Sequence, residues 1–470
     1  MSKIDITSSF LYRRRYWIGH SLIAIALISL ISVSAFLIPS GLTEQAHTSI
    51  VTSSQLDISQ MWRTAPLDAP FYLAQHAVLS IFGVNLLGVK LLSIILGLIT
   101  AFCMILLLRH WFSHGIAVLA SLLAVTTGQF LFLTQQGTVS VLYLFWPVIL
   151  LLLATLVAKR TKFHGVWKIL FFLCAALSLY TPLSIYVLIA LGSAIMLHPH
   201  LRYIVKKLPR VRLAVAAGIG LVILTPLIMT IIANPSVALR LLGIPSEWPP
   251  SLLANLHELA GHYFGFLSLG SQSIMLPVFG FGSMLIILYG LYQSIRTFET
   301  VQSYVILAWI VLLFPVLVIN PGFTSIMFVP LLLLLATGLE RILGTWYGIF
   351  PYNPYARVAG LIPLVVLVGG LVLFGLERYG YGYRYAPEIV QNFSHDALII
   401  PKVPTLVVSD EERPLFEAVA RFNGDFKVVT TAPDSGSYAV TAKAYNGKKI
   451  PYQLVTTSAN NNAARFYIYK

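Results

Sequence analysis

Ile38-Pro39-Ser40-Gly41-Leu42-Thr43-Glu44-Gln45-Ala46-His47 is the stretch on which the fold turns. Before it runs an apolar segment, Trp17 to Ile38. A bilayer span needs roughly 20 such residues, so this segment is expected to cross. Pro39 ends it. The chain then turns polar, sets one carboxylate, Glu44, beside the membrane surface, and starts no second span until near Leu86.

Composition extends that pattern to the whole chain. Its 470 residues are 57% hydrophobic and 10% charged, with a mean hydropathy of +0.82. A soluble domain carries about 25% charge, so most of this chain is solvated by lipid. Spans are expected near 17–38, 86–108, 116–133, 139–158, 167–181, 183–197, 213–233, 274–295, 303–319, 323–339 and 358–376. That makes about eleven transmembrane helices. Arg13-Arg14-Arg15 precedes a first span too long for a signal-peptide core and without a clear cleavage site, so no cleavable signal is expected.

The net charge of +14 does not point to nucleic acid, because its distribution is one-sided. With Arg13-Arg14-Arg15 in the cytoplasm, Arg109, Lys159, Arg160, Lys162, Arg202, Lys206, Lys207, Arg210, Arg212, Arg296, Arg341 and Arg357 fall on the same side. The opposite loops, before the C-terminal region, carry only Arg63 and Arg240, with Lys90 where a span begins. This positive-inside asymmetry predicts a cytoplasmic N-terminus and, after eleven spans, an extracytoplasmic C-terminus. Glu44, Asp57, Asp68, Glu247 and Glu258 fall outside. Cys103 and Cys174 lie within spans and imply no disulfide framework.

Residues 1–378 form the expected transmembrane domain, with long outer loops at 39–85 and 234–272. The first loop holds Pro66-Leu67-Asp68-Ala69-Pro70 and an apolar segment, Phe71 to Phe82, too short to span and expected as a helix in the interface. The second holds an expected helix from Ser251 to Phe264, with Ser251 as a cap and Leu252, Leu253, Leu256, Leu259 and Ala260 on one face. A Tyr/Gly-rich linker, 379–394, leads to 395–470, expected as a small α/β domain. Its strands are placed at 405–408, 426–430, 438–442 and 465–469, its helix at 414–422, and a turn at Asn446-Gly447.

Taken in order, these features resemble the GT-C superfamily of multi-pass glycosyltransferases, in particular protein O-mannosyltransferases and aminoarabinose transferases. An acidic pair opens their first outer loop; Thr43-Glu44 stands there here. A proline-bearing stretch, a helix ending in Phe-Gly and a span opening with a basic residue follow; here these are residues 66–70, Phe71 to Phe82-Gly83, and Gly88-Val89-Lys90. Phe323 to Pro330, leading into Leu331 to Leu339, is similar to their aromatic step into a proline-containing helix. The chain departs in having one acid rather than two and an uncharged Thr134-Gln135-Gln136-Gly137-Thr138 loop. The resemblance implies a membrane all-α bundle in a prokaryotic plasma membrane. It also implies a polyprenyl-phosphate sugar as donor, membrane lipids as surroundings, an acceptor that is protein, lipid or polysaccharide, and no nucleic acid.

Such a transfer needs a carboxylate to take the acceptor's proton and cations for the leaving phosphate. Glu44 is the expected base, with Asp57 and Asp68 in reserve and His47, at i+3, as a possible orienting residue. Arg63, Arg240 and Lys90 are the expected phosphate ligands. No Asp-x-Asp pair occurs, and His257 and His262 are five apart, so no metal is expected. The competing classes are an inactive scaffold in envelope assembly, which the missing acid favours, and a transporter, which the ion-poor span centres disfavour.

Overall fold

The computed structural model describes residues 10–38, 41–57, 59–60, 65–159, 164–206, 210–245, 248–266, 278–350, 352–383, 385, 392–424, 426–433, 436–445, 447, 451–456 and 465–470. Helix α1 (Phe10–Leu37) is followed by strand β1 (Leu42–Thr43) and by two loop helices, α2 (Glu44–Ser54) and α3 (Ala69–Phe82). The bundle continues with α4 (Leu86–Trp111), α5 (His114–Thr126), α6 (Gly128–Gln135), α7 (Leu142–Ala158), α8 (His164–Ser178), α9 (Ser184–Leu197), α10 (Pro199–Lys206) and α11 (Arg210–Ala233). The second outer loop carries α12 (Ser236–Leu241) and α13 (Leu252–Phe264). Then come α14 (Phe281–Arg296), α15 (Val301–Ile319), a 3₁₀ segment Pro321–Met327, α16 (Phe328–Ile349) and α17 (Pro354–Glu377).

The protein is a multi-pass membrane bundle. Six helices are long and apolar enough to cross a membrane, or up to eight if each bent pair is one span. The pairs are α5 with α6, bent by 57°, and α9 with α10, bent by 94°. The other expected spans fall on shorter helices: the apolar part of α1, α8 and α14. Side-chain caps start several helices, as N-cap residues do. Asn85 accepts from the Gly88 amide (2.7 Å), Thr300 from Ser303 (3.3 Å) and Asn353 from Ala356 (3.1 Å). Helices α14 and α16 cross on Gly290 and Gly338; a Cβ on Gly290 would stand 1.9 Å from the Leu334 carbonyl oxygen.

Contacts sort the helix ends into two faces. At one, Lys159 Nζ donates to the His110 carbonyl, Gln302 to the Trp111 carbonyl, and His198 meets the Glu299 carbonyl. At the other lie the long loops and the C-terminal domain.

That domain has a five-stranded sheet, in the order β4-β3-β5-β7-β6. Its strands are β3 (Thr405–Val407), β4 (Lys427–Val429), β5 (Tyr438–Thr441), β6 (Gln453–Thr456) and β7 (Arg465–Tyr469). Strand β3 is parallel to β4 and β5, while β7 is antiparallel to β5 and β6. Helix α18 (Arg413–Asn423) packs Phe416 against Phe466 in its core. The expected elements are present; β6 was not expected, and Asn446 of the turn lies outside the described residues. A further strand, β2 (Phe393–Ser394), starts before the expected boundary and pairs antiparallel with β1.

Helix α13 departs from expectation. Ser251 makes no side-chain cap bond. Leu252, Leu253 and Leu256 are exposed, and the buried side is Leu259, His262 and Tyr263. Asn255 and His262 tie that side to the Ile319 carbonyl (2.8 Å) and the Thr324 hydroxyl (2.8 Å), so hydrogen bonding rather than apolar spacing sets its orientation. In the linker, Tyr379 is buried, its hydroxyl donating to the Ile38 carbonyl, whereas Tyr381 and Tyr385 are exposed as headgroup-level rings would be.

Candidate active site

Glu44 is the first residue of α2, where Thr43 turns strand β1 into helix. The Thr43 hydroxyl accepts from the Ala46 amide (3.2 Å) while its backbone pairs with Phe393. An acid is favoured at a helix start, where unpaired amides carry partial positive charge. Glu44 and His47 face a cavity of about 850 Å³. Its opposite wall is the C-terminal domain: Asp396, Glu411, Glu412 and Lys443. Arg421 bonds the Ser54 carbonyl, the Val84 amide donates to Asn423 (2.7 Å), and Ala418 and Val419 share a core with Leu42, Ala46 and Ile50. The domain is therefore seated on the first loop.

The wall opposite Glu44 is electrostatically tuned. Glu412 accepts from the hydroxyls of Thr441 (2.6 Å) and Ser409 (3.1 Å), and Lys443 approaches Glu411 at 3.6 Å. Burial pushes the Asp396 carboxyl up to about 6, against the lowering effect of the Ser394 hydroxyl. One Asp396 oxygen has no partner. Burial, then Lys443, lowers His47 to about 4, so its ring is neutral near pH 7. His47 Nε2 is buried without a hydrogen-bond partner, so that nitrogen does not hold Glu44.

Lys90 is not a surface cation: it is buried in the bundle. Its ammonium donates to the Ala35 carbonyl (2.8 Å) and to Gln135 Oε1 (2.9 Å). An ammonium cannot accept, which fixes the amide orientation and leaves Gln135 Nε2 as a donor. That nitrogen and Gln136 Nε2 are buried and unpartnered. Lys90 lies below β1 and β2: the Gly41 backbone packs on His395, which burial and then Lys90 hold below its ordinary value. Gly41 has φ +118 and no room for a side chain, since a Cβ would meet the Ser394 carbonyl at 3.0 Å. Glu44 is three residues on, within roughly 10 Å of it.

The reserve acids do not join this site. Asp57 is exposed, its carboxylate accepting from the Ser59 amide (2.9 Å) and hydroxyl (2.7 Å), which hold its pKa down. Asp68 is buried at the start of α3 with φ 55, its amide donating to the Tyr180 carbonyl (2.9 Å). Burial pushes Asp68 up to about 7, against the Thr181 hydroxyl, and one of its oxygens has no partner. Its neighbour Tyr72, raised to about 12 by burial and then by Asp68, bonds Thr52. Thr52 lies about 12 Å along α2 from Glu44. Arg240 is exposed on α12 and does not line the Glu44 cavity. Arg63 and Glu247 lie outside the described residues. His262 pairs with Glu258 (3.6 Å), and among the described residues no group of three or more His, Cys, Asp or Glu is placed to hold a metal.

Residues 69–229 match the family described as dolichyl-phosphate-mannose-protein mannosyltransferase. No curated protein sequence matches significantly. Among solved structures, the chain is similar to ArnT from Cupriavidus metallidurans in the apo state, with a TM-score of 0.53 and 14% identity over 96% of this chain and 98% of that one. It is also similar to ArnT bound to undecaprenyl phosphate, with a TM-score of 0.51 and 15% identity over 96% of this chain and 98% of that one. The oligosaccharyltransferase from Archaeoglobus fulgidus, in the apo form, gives a TM-score of 0.54 at 14% identity over 91% of this chain. The chain spans 66% of that protein's length. The chain therefore shares the fold of these multi-pass membrane proteins.

Proposed function

We propose that the protein is a glycosyltransferase that takes a sugar from a polyprenyl-phosphate donor and passes it to an acceptor held in the cavity beside Glu44. The observation that carries this is the placement of Glu44: first turn of a loop helix, directly after the first span, on the wall of a cavity of about 850 Å³. In this reading Glu44 accepts the proton of the attacking acceptor group, which must come within roughly 3 Å. The sugar–phosphate bond breaks as the acceptor–sugar bond forms, and the lipid phosphate leaves with its charge. Lys90, Gln135 Nε2 and Gln136 Nε2 are the buried donors for that phosphate, beneath β1. Neutral His47 shapes the wall. The step is assigned to side chains, with no cofactor. The basic face of the bundle is cytoplasmic and the cavity extracytoplasmic, following the positive-inside rule.

The acidic far wall, Asp396, Glu411 and Glu412, supports an acceptor that carries hydroxyls or amines rather than anions. The test is transfer in liposomes from undecaprenyl- or dolichyl-phosphate sugars. Glu44→Gln keeps shape and removes basicity, so it should lower transfer by 10² or more, the usual worth of a general base. Donor binding should be unchanged. Normal turnover by Glu44→Gln would overturn the assignment.

A further inference from the structure

At the basic face, opposite the Glu44 cavity, lies a second cavity of about 340 Å³. It is bounded by the last two turns of α7, from Leu151 to Ala158, by α8, and by the ends of α9, α11 and α15. The interior is aliphatic and aromatic, with Phe171, Leu191 and Ile195 on its wall. The wall's polar groups are paired among themselves: Trp111 donates to Thr155 (2.9 Å), and Gln302 to the Trp111 carbonyl (3.0 Å).

Its mouth is charged with one sign. Lys159 stands there, Lys168 is buried deeper in the wall, and no carboxylate occurs among the described lining residues. Lys159 is exposed and uses one of its three donors on the His110 carbonyl (2.7 Å). Helix α10 forms the floor. It bends 94° from α9, presents Leu201, Ile204 and Val205 to the cavity, and leaves Arg202 and Lys206 exposed. An amphipathic helix with basic residues on its outer face suits a membrane interface.

We infer that this cavity binds an anionic glycerophospholipid of the adjacent leaflet, one acyl chain inside and the phosphate at Lys159. The apolar interior selects a chain, and the one-signed mouth selects the headgroup charge; basic pockets between helix ends are suited to such headgroups. Bound there, the lipid would join α7, α8, α10 and α15 across a gap that protein side chains leave unfilled.

The experiment uses the full chain in nanodiscs of phosphatidylcholine containing phosphatidylglycerol, with retained lipid counted by native mass spectrometry. Phosphatidylglycerol should be retained over phosphatidylcholine by about fivefold, for the one lysine engaged. Lys159→Gln, on an exposed side chain, should cut that preference by about fivefold. Ala154→Trp fills the cavity and should abolish retention at unchanged Tm. Equal retention of the two lipids would overturn the inference. So would wild-type retention by folded Ala154→Trp, or displacement of phosphatidylglycerol by equimolar undecaprenyl phosphate. Should Ala154→Trp fail to fold, Lys159→Gln decides alone.

Discussion

Two residues on facing walls of the Glu44 cavity titrate in opposite senses. Asp396 has its folded pKa raised to about 6. Its contribution to stability is complete below its unfolded value near 4 and is lost as pH rises through 6. His47 has its folded pKa lowered to about 4. Its contribution is present above its unfolded value near 6.5 and is lost as pH falls toward 4. In the intact protein these slopes oppose each other between pH 4 and 6. Asp396→Asn removes one, so its Tm should fall further below that of the intact protein as pH drops from 6 to 4. His47→Gln removes the other, so its Tm relative to the intact protein should rise as pH drops from 6.5 to 4. Thermal melts in detergent across pH 4–7 check both; unchanged profiles would show that the burial of these groups is not maintained in solution. The His47 position was legible from its spacing to Glu44. Asp396 was not, because it comes within reach of the first loop only when a domain some 350 residues later docks there, roughly the reach that no local pattern encodes.

At the scale of elements, the first outer loop is held by a polar lattice as well as by apolar cores. Gln75 on α3 is buried, and its Oε1 accepts from Ser49 (2.6 Å) and Ser53 (2.7 Å) on α2. Its Nε2 donates to the Gly137 carbonyl (3.0 Å) in the loop before α7. His76, next along, meets the Ser53 carbonyl at 2.8 Å. One side chain thus joins three segments, and the serines that make α2 look like a solvated stretch are its ligands. Gln75→Leu leaves two buried hydroxyls and a carbonyl without partners. At about 1–3 kcal/mol for each group left unsatisfied, the loop should loosen measurably. Hydrogen exchange over residues 44–54 and 69–82 checks this; unchanged protection would assign the loop's rigidity to the apolar core alone. The sequence marked α3 as a short apolar helix correctly, but Gln75 appeared there as an interruption. Only the packing identifies it as the joint.

For the molecule as a whole, the C-terminal domain forms a wall of the Glu44 cavity rather than a lid over it. It shares a core with the first loop, adds β2 to β1, and seats Asn423 against Val84 and Gly83. Linking Val84→Cys to Asn423→Cys with a short thiol crosslinker should therefore leave transfer within about twofold of the reduced form, whereas loss on linking would show that the domain must swing. The proposed orientation, from the charge asymmetry, predicts that Lys470 is extracytoplasmic; labelling of a C-terminal cysteine from the cytoplasmic side alone would contradict it. The sequence by itself determined the apolar bundle and the place of the acid at the first loop. Those depend on hydropathy and charge, which are properties of local composition. The tertiary structure decided what faces Glu44, why Lys90 is buried against Ala35 and Gln135, and why Asp68 does not line the Glu44 cavity. Those depend on contacts between segments far apart in the chain, where burial and hydrogen bonding, not residue type, set what each charge can do.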